Sequence, residues 1–167
     1  MKLNLGAGSQ KMPGWTSVDQ FAPEADVHAD LFKFPWPWED NSIDAVAMFH
    51  FLEHVEELER TILEVHRILK PDGRFWVIVP HARHPAAYDI AHRHYFTCTT
   101  FHSIAAERWY QWGGKQIFKT EYLRMPVIQF KWIKWTPLDW ITEHFPVAYE
   151  KVLPIAPAWI DWVGRKV

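Results

Sequence analysis

Cysteine is almost absent from this chain: Cys98 is the only one in 167 residues. No intrachain disulfide can form, so the fold must rest on its core, and a reducing, cytoplasmic setting is expected. Long apolar runs are also missing, and none approaches the roughly 18 residues of a membrane span. The first predicted strand begins two residues after Met1, and the expectation is therefore that no secretory leader is present. Neither sign of charge is in excess. Lys and Arg total 18 against 20 Asp and Glu, a formal net charge of −2, so there is no whole-molecule attraction to phosphate backbones, and nucleic acid is not favoured as a partner.

What the chain does have is rings: 11 Trp, 11 Phe and 5 Tyr. Most are expected in the core or a ligand cleft, because aromatics dominate buried area per residue. A length of 167 residues suits one domain that buries roughly 70% of its unfolded surface.

The organising stretch is Leu3 to Asp19, LNLGAGSQKMPGWTSVD. Leu3 and Leu5 alternate with Asn4 and run into Gly6-Ala7-Gly8, a short strand stopped by a turn whose backbone can pass close to a ligand. Thr16 to Val18 reads as a second strand ending on Asp19. Parallel pairing would bring the glycine turn and this carboxylate to one crevice, where amide groups meet a polar ligand and the acid accepts hydrogen bonds from ribose hydroxyls. A dinucleotide fingerprint fits poorly. It requires a third glycine where Lys11 stands and an acid about 20 residues further on.

The set LNLGAG, Gly14-Trp15 and Val18-Asp19 instead resembles motif I and the acidic strand end of small class I S-adenosylmethionine-dependent methyltransferases of the type 11 kind. The resemblance implies a Rossmann-like α/β fold. It has a mostly parallel central sheet, an antiparallel C-terminal strand, helices on both faces and an N-terminal helix reduced or absent. It also implies S-adenosyl-L-methionine as cofactor, held around Asn4, Leu5, Gly6, Ala7, Gly8, Asp19, Asp30, Leu31, Phe49, His50 and Glu53. Many members carry Asp or Glu at the position of Asn4, so ionic help to the cofactor's ammonium is not expected here. The resemblance extends over about residues 3 to 101. It suggests a single methyltransferase domain over 1–167, divided into a cofactor-binding core (1–80), a substrate-side insertion (81–112) and C-terminal strands and short helices (113–167).

In chain order, Asp26 to Leu31 reads as a short strand ending near Asp30, a carboxylate placed to accept from an adenine amine or to cap a turn. Phe34-Pro35-Trp36-Pro37-Trp38 is a stiff aromatic loop, since two prolines remove donors and fix φ. Its tryptophans either wall the cleft or pack on the sheet edge. Ile43 to Phe49 is apolar enough for a strand covered on both faces. From Val55 the positions Leu58, Ile62, Val65, Ile68 and Leu69 keep helical spacing, and Lys70-Pro71-Asp72-Gly73 stops that helix. Phe75 to Val79 is the next strand. The segments around Leu52-Glu53-His54 and LKPDG also resemble this family. A helix is expected from about Thr100 to Arg108, capped by Thr99 or Thr100. Strands are expected at Ile117 to Leu123, Val127 to Trp135 and Trp159 to Val167, with a helix start at Thr136-Pro137.

Ten histidines are present, and His81, His84, His92 and His94 fall within fourteen residues. Substrate contact, proton transfer, loop structure and metal binding are all open to them, and the expected metal content is none. Methyl transfer from a sulfonium mainly needs alignment, and a hydroxyl or amine acceptor also needs a base, for which histidine is suited. His81, at the end of a strand, is the first candidate. His92 follows, with Asp89 to orient it. The acceptor is open among a small molecule, a sugar or lipid-like hydroxyl and a protein side chain, a small-molecule or glycan-like compound being expected first, and the Trp-rich C-terminal region is a candidate surface for self-association. Two other classes remain, a nicotinamide-dinucleotide oxidoreductase and a non-catalytic aromatic-rich interaction module.

Overall fold

The computed structural model describes residues 1–106, 115–126, 144–146 and 157–167. Among the described residues six strands form one sheet: β1 (Lys2–Leu5), β2 (Thr16–Val18), β3 (Ile43–Phe49), β4 (Leu69–Pro80), β5 (Phe118–Arg124) and β6 (Trp159–Lys166), in the spatial order β2-β1-β3-β4-β6-β5. The first four pair in parallel, with Asn4 beside Ser17 on one side and Ala47 on the other. β6 then runs antiparallel between β4 and β5.

This order places the site. The chain leaves β1 to one side for β2 and returns to the other side for β3, so a crevice opens beyond the carboxyl ends of β1 and β3. Apolar runs make these strands central. Leu3, Leu5, Val46, Met48, Phe75, Val77 and Val79 are all fully buried, as expected for a sheet covered on both faces.

Two helices pack against it among the described residues. α1 (Leu58–Ile68) buries Ile62, Val65 and Ile68 at helical spacing. It starts later than the sequence predicts because Leu52–His54 first makes a separate 3-10 turn. At the helix's end the left-handed residue is Asp72, with φ 62°, not Gly73, and β4 runs through this corner from Leu69. Asp is among the residues that tolerate that conformation. α2 (Cys98–Ala105) starts two residues earlier than expected, after Thr97, whose N–H donates to Thr100 Oγ1 at 3.2 Å. A second 3-10 turn spans Pro85–Tyr88.

Asp26 to Leu31 is not a strand. One isolated bridge, Val18 to Val27, forms there, with Asp26 N and Val27 N both donating to Ser17 O while the Asp26 carboxylate accepts from Ser17 N and Oγ and from Lys11 Nζ. Trp36 settles the question of the aromatic loop in favour of packing. It is buried in the core, its amide donating to Glu64 Oε1 and its indole to Leu31 O. The expected strand at Val127 to Trp135 and the helix at Thr136 lie outside the described residues. From the Trp-rich region, Trp162 fills the core between Phe75, Phe101 and Phe118. Its ring closes over Gly164, where a Cβ would stand 2.2 Å from it. No helix of the described residues is long and apolar enough to cross a membrane.

Candidate active site

β1 ends in a turn that requires glycine. Gly6 and Gly8 have φ of 68° and 52°, a region that side chains disfavour, and Gly6 N and Ala7 N both donate to Val18 O. The turn is thereby strapped to β2. Asp19, directly after β2, completes the strap, its Oδ2 accepting from Gly8 N at 2.9 Å and its Oδ1 from Phe21 N and Ala22 N. Partial burial pushes this carboxyl up, but the amides of Phe21, Ala22 and Gly8 outweigh it and hold the group below its usual range. It is an anion with one acceptor position left on Oδ2.

Gly6 and Asp19 line a hollow with Phe21, Leu31, Phe32 and Phe51. Polar backbone on one wall and rings on the other suit a nucleoside. The size does not yet match: the hollow is about 60 Å³, because Phe51 lies against Gly6 and packs on Phe32 at 5.9 Å. Phe51 must swing away for an adenosyl group to enter. Asn4, in the strand that leads to the turn, lies outside the lining of both the hollow and the larger cavity beside it. It is 1% exposed, and among the described residues neither its Oδ1 nor its Nδ2 has a hydrogen-bond partner, an arrangement that costs stability. Leu5 points into the core and can contribute only backbone. Asp30 engages its own loop, with Phe32 N on Oδ1 and Lys33 Nζ on Oδ2, and these contacts, Lys33 foremost, lower its pKa. Phe49 ends β3 against Trp76, ring centroids 4.8 Å apart.

Next to this hollow is a far larger one, a cavity of about 870 Å³ at the carboxyl ends of β3 and β4. Consecutive residues divide the two spaces, Phe51 lining the small one and His50 the large one. His50 takes a left-handed conformation, φ 52°, and its amide donates to Ile78 O. Its Nδ1 lies 3.5 Å from Oε1 of Glu53, which is 1% exposed.

Of the four clustered histidines, His84 and His92 line the large cavity and His81 and His94 do not. His81, the first candidate base, is fully buried, accepts from Arg83 N on Nδ1, and is not part of the cavity wall. His84 caps the turn at Pro85, its Nδ1 accepting from Ala86 N. His92 does line the cavity, as does Asp89. The Asp89 carboxylate holds Ala91 N, however, and the His92 ring is set by Ala87 O at 3.1 Å. The neighbour of His92 is a residue not singled out from the sequence, His54, whose ring meets it edge-on at 4.7 Å. Their separation by 38 positions hid the pair. Arg124 and Asp161 from β5 and β6 form the far wall. Burial pushes the Asp161 carboxyl up, opposed by the Trp76 indole and by Arg124.

Residues 10–77 match the family model for a methyltransferase domain, and a search of curated proteins found no match. The fold recurs in a SAM-dependent methyltransferase from Archaeoglobus fulgidus, with TM-score 0.60 and 16% identity over 99% of this chain and 85% of that one. It also recurs in the [4+2]-cyclase SpnF, with TM-score 0.62 and 16% identity over 99% and 73%. A third neighbour is a phosphoethanolamine N-methyltransferase of Haemonchus contortus bound to phosphoethanolamine and S-adenosylhomocysteine, with TM-score 0.60 and 14% identity over 99% and 38%. The resemblance read from the sequence therefore holds: the architecture is that of class I S-adenosylmethionine-dependent methyltransferases. The matched domain is a methyltransferase domain, and the fold is one that S-adenosylmethionine-dependent enzymes share.

Proposed function

We propose that this chain methylates a small-molecule or glycan-like acceptor held in the 870 Å³ cavity, with the adenosyl group seated over Gly6 to Gly8 and against Asp19. The observation that carries the reading is the adjacency of the two hollows through His50 and Phe51. When bound, the cofactor supplies a methyl group on a positively charged sulfur. The chain's part is to hold the acceptor in line and to take its proton. His50 suits the second task better than His81, because it lines the large cavity next in sequence to Phe51 of the small hollow and has buried Glu53 beside it. Glu53, Asp89 and Asp161 outnumber Arg124 on the cavity wall, which favours a hydroxyl- or amine-bearing acceptor over an anionic one. The single cysteine, buried in α2, is compatible with the cytoplasmic setting proposed for it.

A thermal-shift comparison tests this reading against a dinucleotide enzyme or a non-catalytic module. S-adenosylhomocysteine at a hundred times its Kd should stabilise the chain by about 2.7 kcal/mol, and nicotinamide dinucleotides should leave Tm unchanged. Labelled methyl should then pass from S-adenosylmethionine to a member of a pool of polyols, phenols and amines. Stabilisation by the nicotinamide cofactors alone, or by neither, would contradict the proposal.

A further inference from the structure

Glu53 is a buried acid without a matching donor. Its side chain is 1% exposed and neither carboxylate oxygen accepts a hydrogen bond among the described residues, His50 Nδ1 standing off at 3.5 Å from Oε1. A buried carboxylate is ordinarily paired or bound to a cation. Two histidines stand around it. One ligand atom from each of Glu53, His54 and His92 can be chosen so that all three lie within 4.8 Å of one another, and all three residues line the large cavity.

The outer contacts prepare both rings for coordination. His54 Nδ1 is 3.2 Å from Ala91 O and His92 Nδ1 is 3.1 Å from Ala87 O. A carbonyl can only accept, so in these contacts Nδ1 is the N–H donor and Nε2 is the nitrogen left for a metal, the arrangement that typically orients metal-binding histidines. The backbone makes the cluster stiff. The Glu53 carbonyl accepts from Arg93 N and His94 N and so fastens the loop bearing His92 to the turn bearing Glu53 and His54.

We infer that Glu53, His54 and His92 form a binding site for a divalent transition-metal ion of the zinc or ferrous class, its remaining coordination positions open to the cavity. Two imidazoles and one carboxylate are a donor set suited to such ions, and leaving a position open is the mark of a catalytic rather than a structural site. Tetrahedral coordination at about 2.0–2.1 Å puts ligand atoms about 3.4 Å apart, so the widest separation in the cluster has at most about 1.4 Å to close. The inference does not rest on methyl transfer. The site would stand even if the acceptor chemistry were different.

The test uses the full chain, stripped with chelator and titrated with Zn²⁺ by calorimetry and with Co²⁺ by visible absorption. The expected result is one ion per chain and a Co²⁺ spectrum of a four- or five-coordinate nitrogen and oxygen site. His54→Ala and His92→Ala should each weaken binding at least about a hundredfold, whereas His102→Ala, on the exposed face of α2, should not change it. Glu53→Gln, which keeps the shape of the buried side chain, provides a further variant should either histidine replacement fail to fold, and should also weaken binding. No stoichiometric binding at about 100 μM metal overturns the inference. So does binding that survives in the folded variants of the cluster, or that falls equally in His102→Ala, either of which would mean surface chelation.

Discussion

A Cβ placed on Gly6 would stand 2.1 Å from Cδ2 of Phe51 and 2.8 Å from its Cβ. The glycine turn after β1 and the residue after His50 are thus fitted to one another. On the proposed function, the ring that uses the space is the one that would yield to an adenosyl group.

Gly6→Ala should therefore be harmful twice over, through the positive φ of 68° and through the collision. A loss of about 2–4 kcal/mol is expected from the strain and overpacking together. Phe51→Ala opens the hollow, and combining it with Gly6→Ala should restore part of the lost stability, a coupling that a double-mutant cycle in urea would read. Strict additivity would show that the two positions do not share that space.

His50→Asn separates catalysis from folding. Asn tolerates the left-handed backbone that His50 adopts at φ 52°, but it cannot accept the acceptor's proton. The kcat for methyl transfer should fall by about 10²–10⁴, with affinity for S-adenosylhomocysteine held within about threefold. An unchanged kcat would remove His50 from the proton's path and return attention to His92.

His66 gives the fold a predictable response to acid. Burial foremost, with the charge of Lys166 adding to it, pushes its pKa from 6.5 to about 4, while its ring packs edge-on to Phe118 at 5.6 Å. Between these values the unfolded chain binds the extra proton. The stability contributed by the neutral ring is full above pH 6.5 and is lost as pH falls toward 4, at no more than about 1.4 kcal/mol per pH unit. Unfolding midpoints at pH 7.5, 6 and 5 should fall for the natural chain and stay flatter for His66→Leu. Equal slopes would assign the effect to other groups.

Much of the frame was readable from residue patterns. β1, β3 and the apolar face of α1 follow from runs and spacings that only buried strands and an amphipathic helix satisfy, and Gly6 to Gly8 marked the turn. The strand expected from Asp26 is a single bridge at Val27, with the Asp26 carboxylate turned to Ser17 and Lys11, side-chain contacts that no periodicity reveals. The cavity was legible only in fragments. His92 and Asp89 line it, but the preference for His81 rested on sequence proximity to a strand end, and that ring turned inward. His54 joined His92 only through the loop fastened at the Glu53 carbonyl, a contact set by tertiary structure.

The central claim is that the Gly6 to Gly8 turn and the Asp19 carboxylate bind the adenosyl group, and titration calorimetry with S-adenosylhomocysteine tests it most directly. The natural chain should bind one equivalent saturably. Asp19→Ala should weaken that binding by about 1–3 kcal/mol, the range for hydrogen bonds to a charged group, while circular dichroism shows the sheet intact. No heat at millimolar ligand, or equal affinity in the two proteins, would contradict the account.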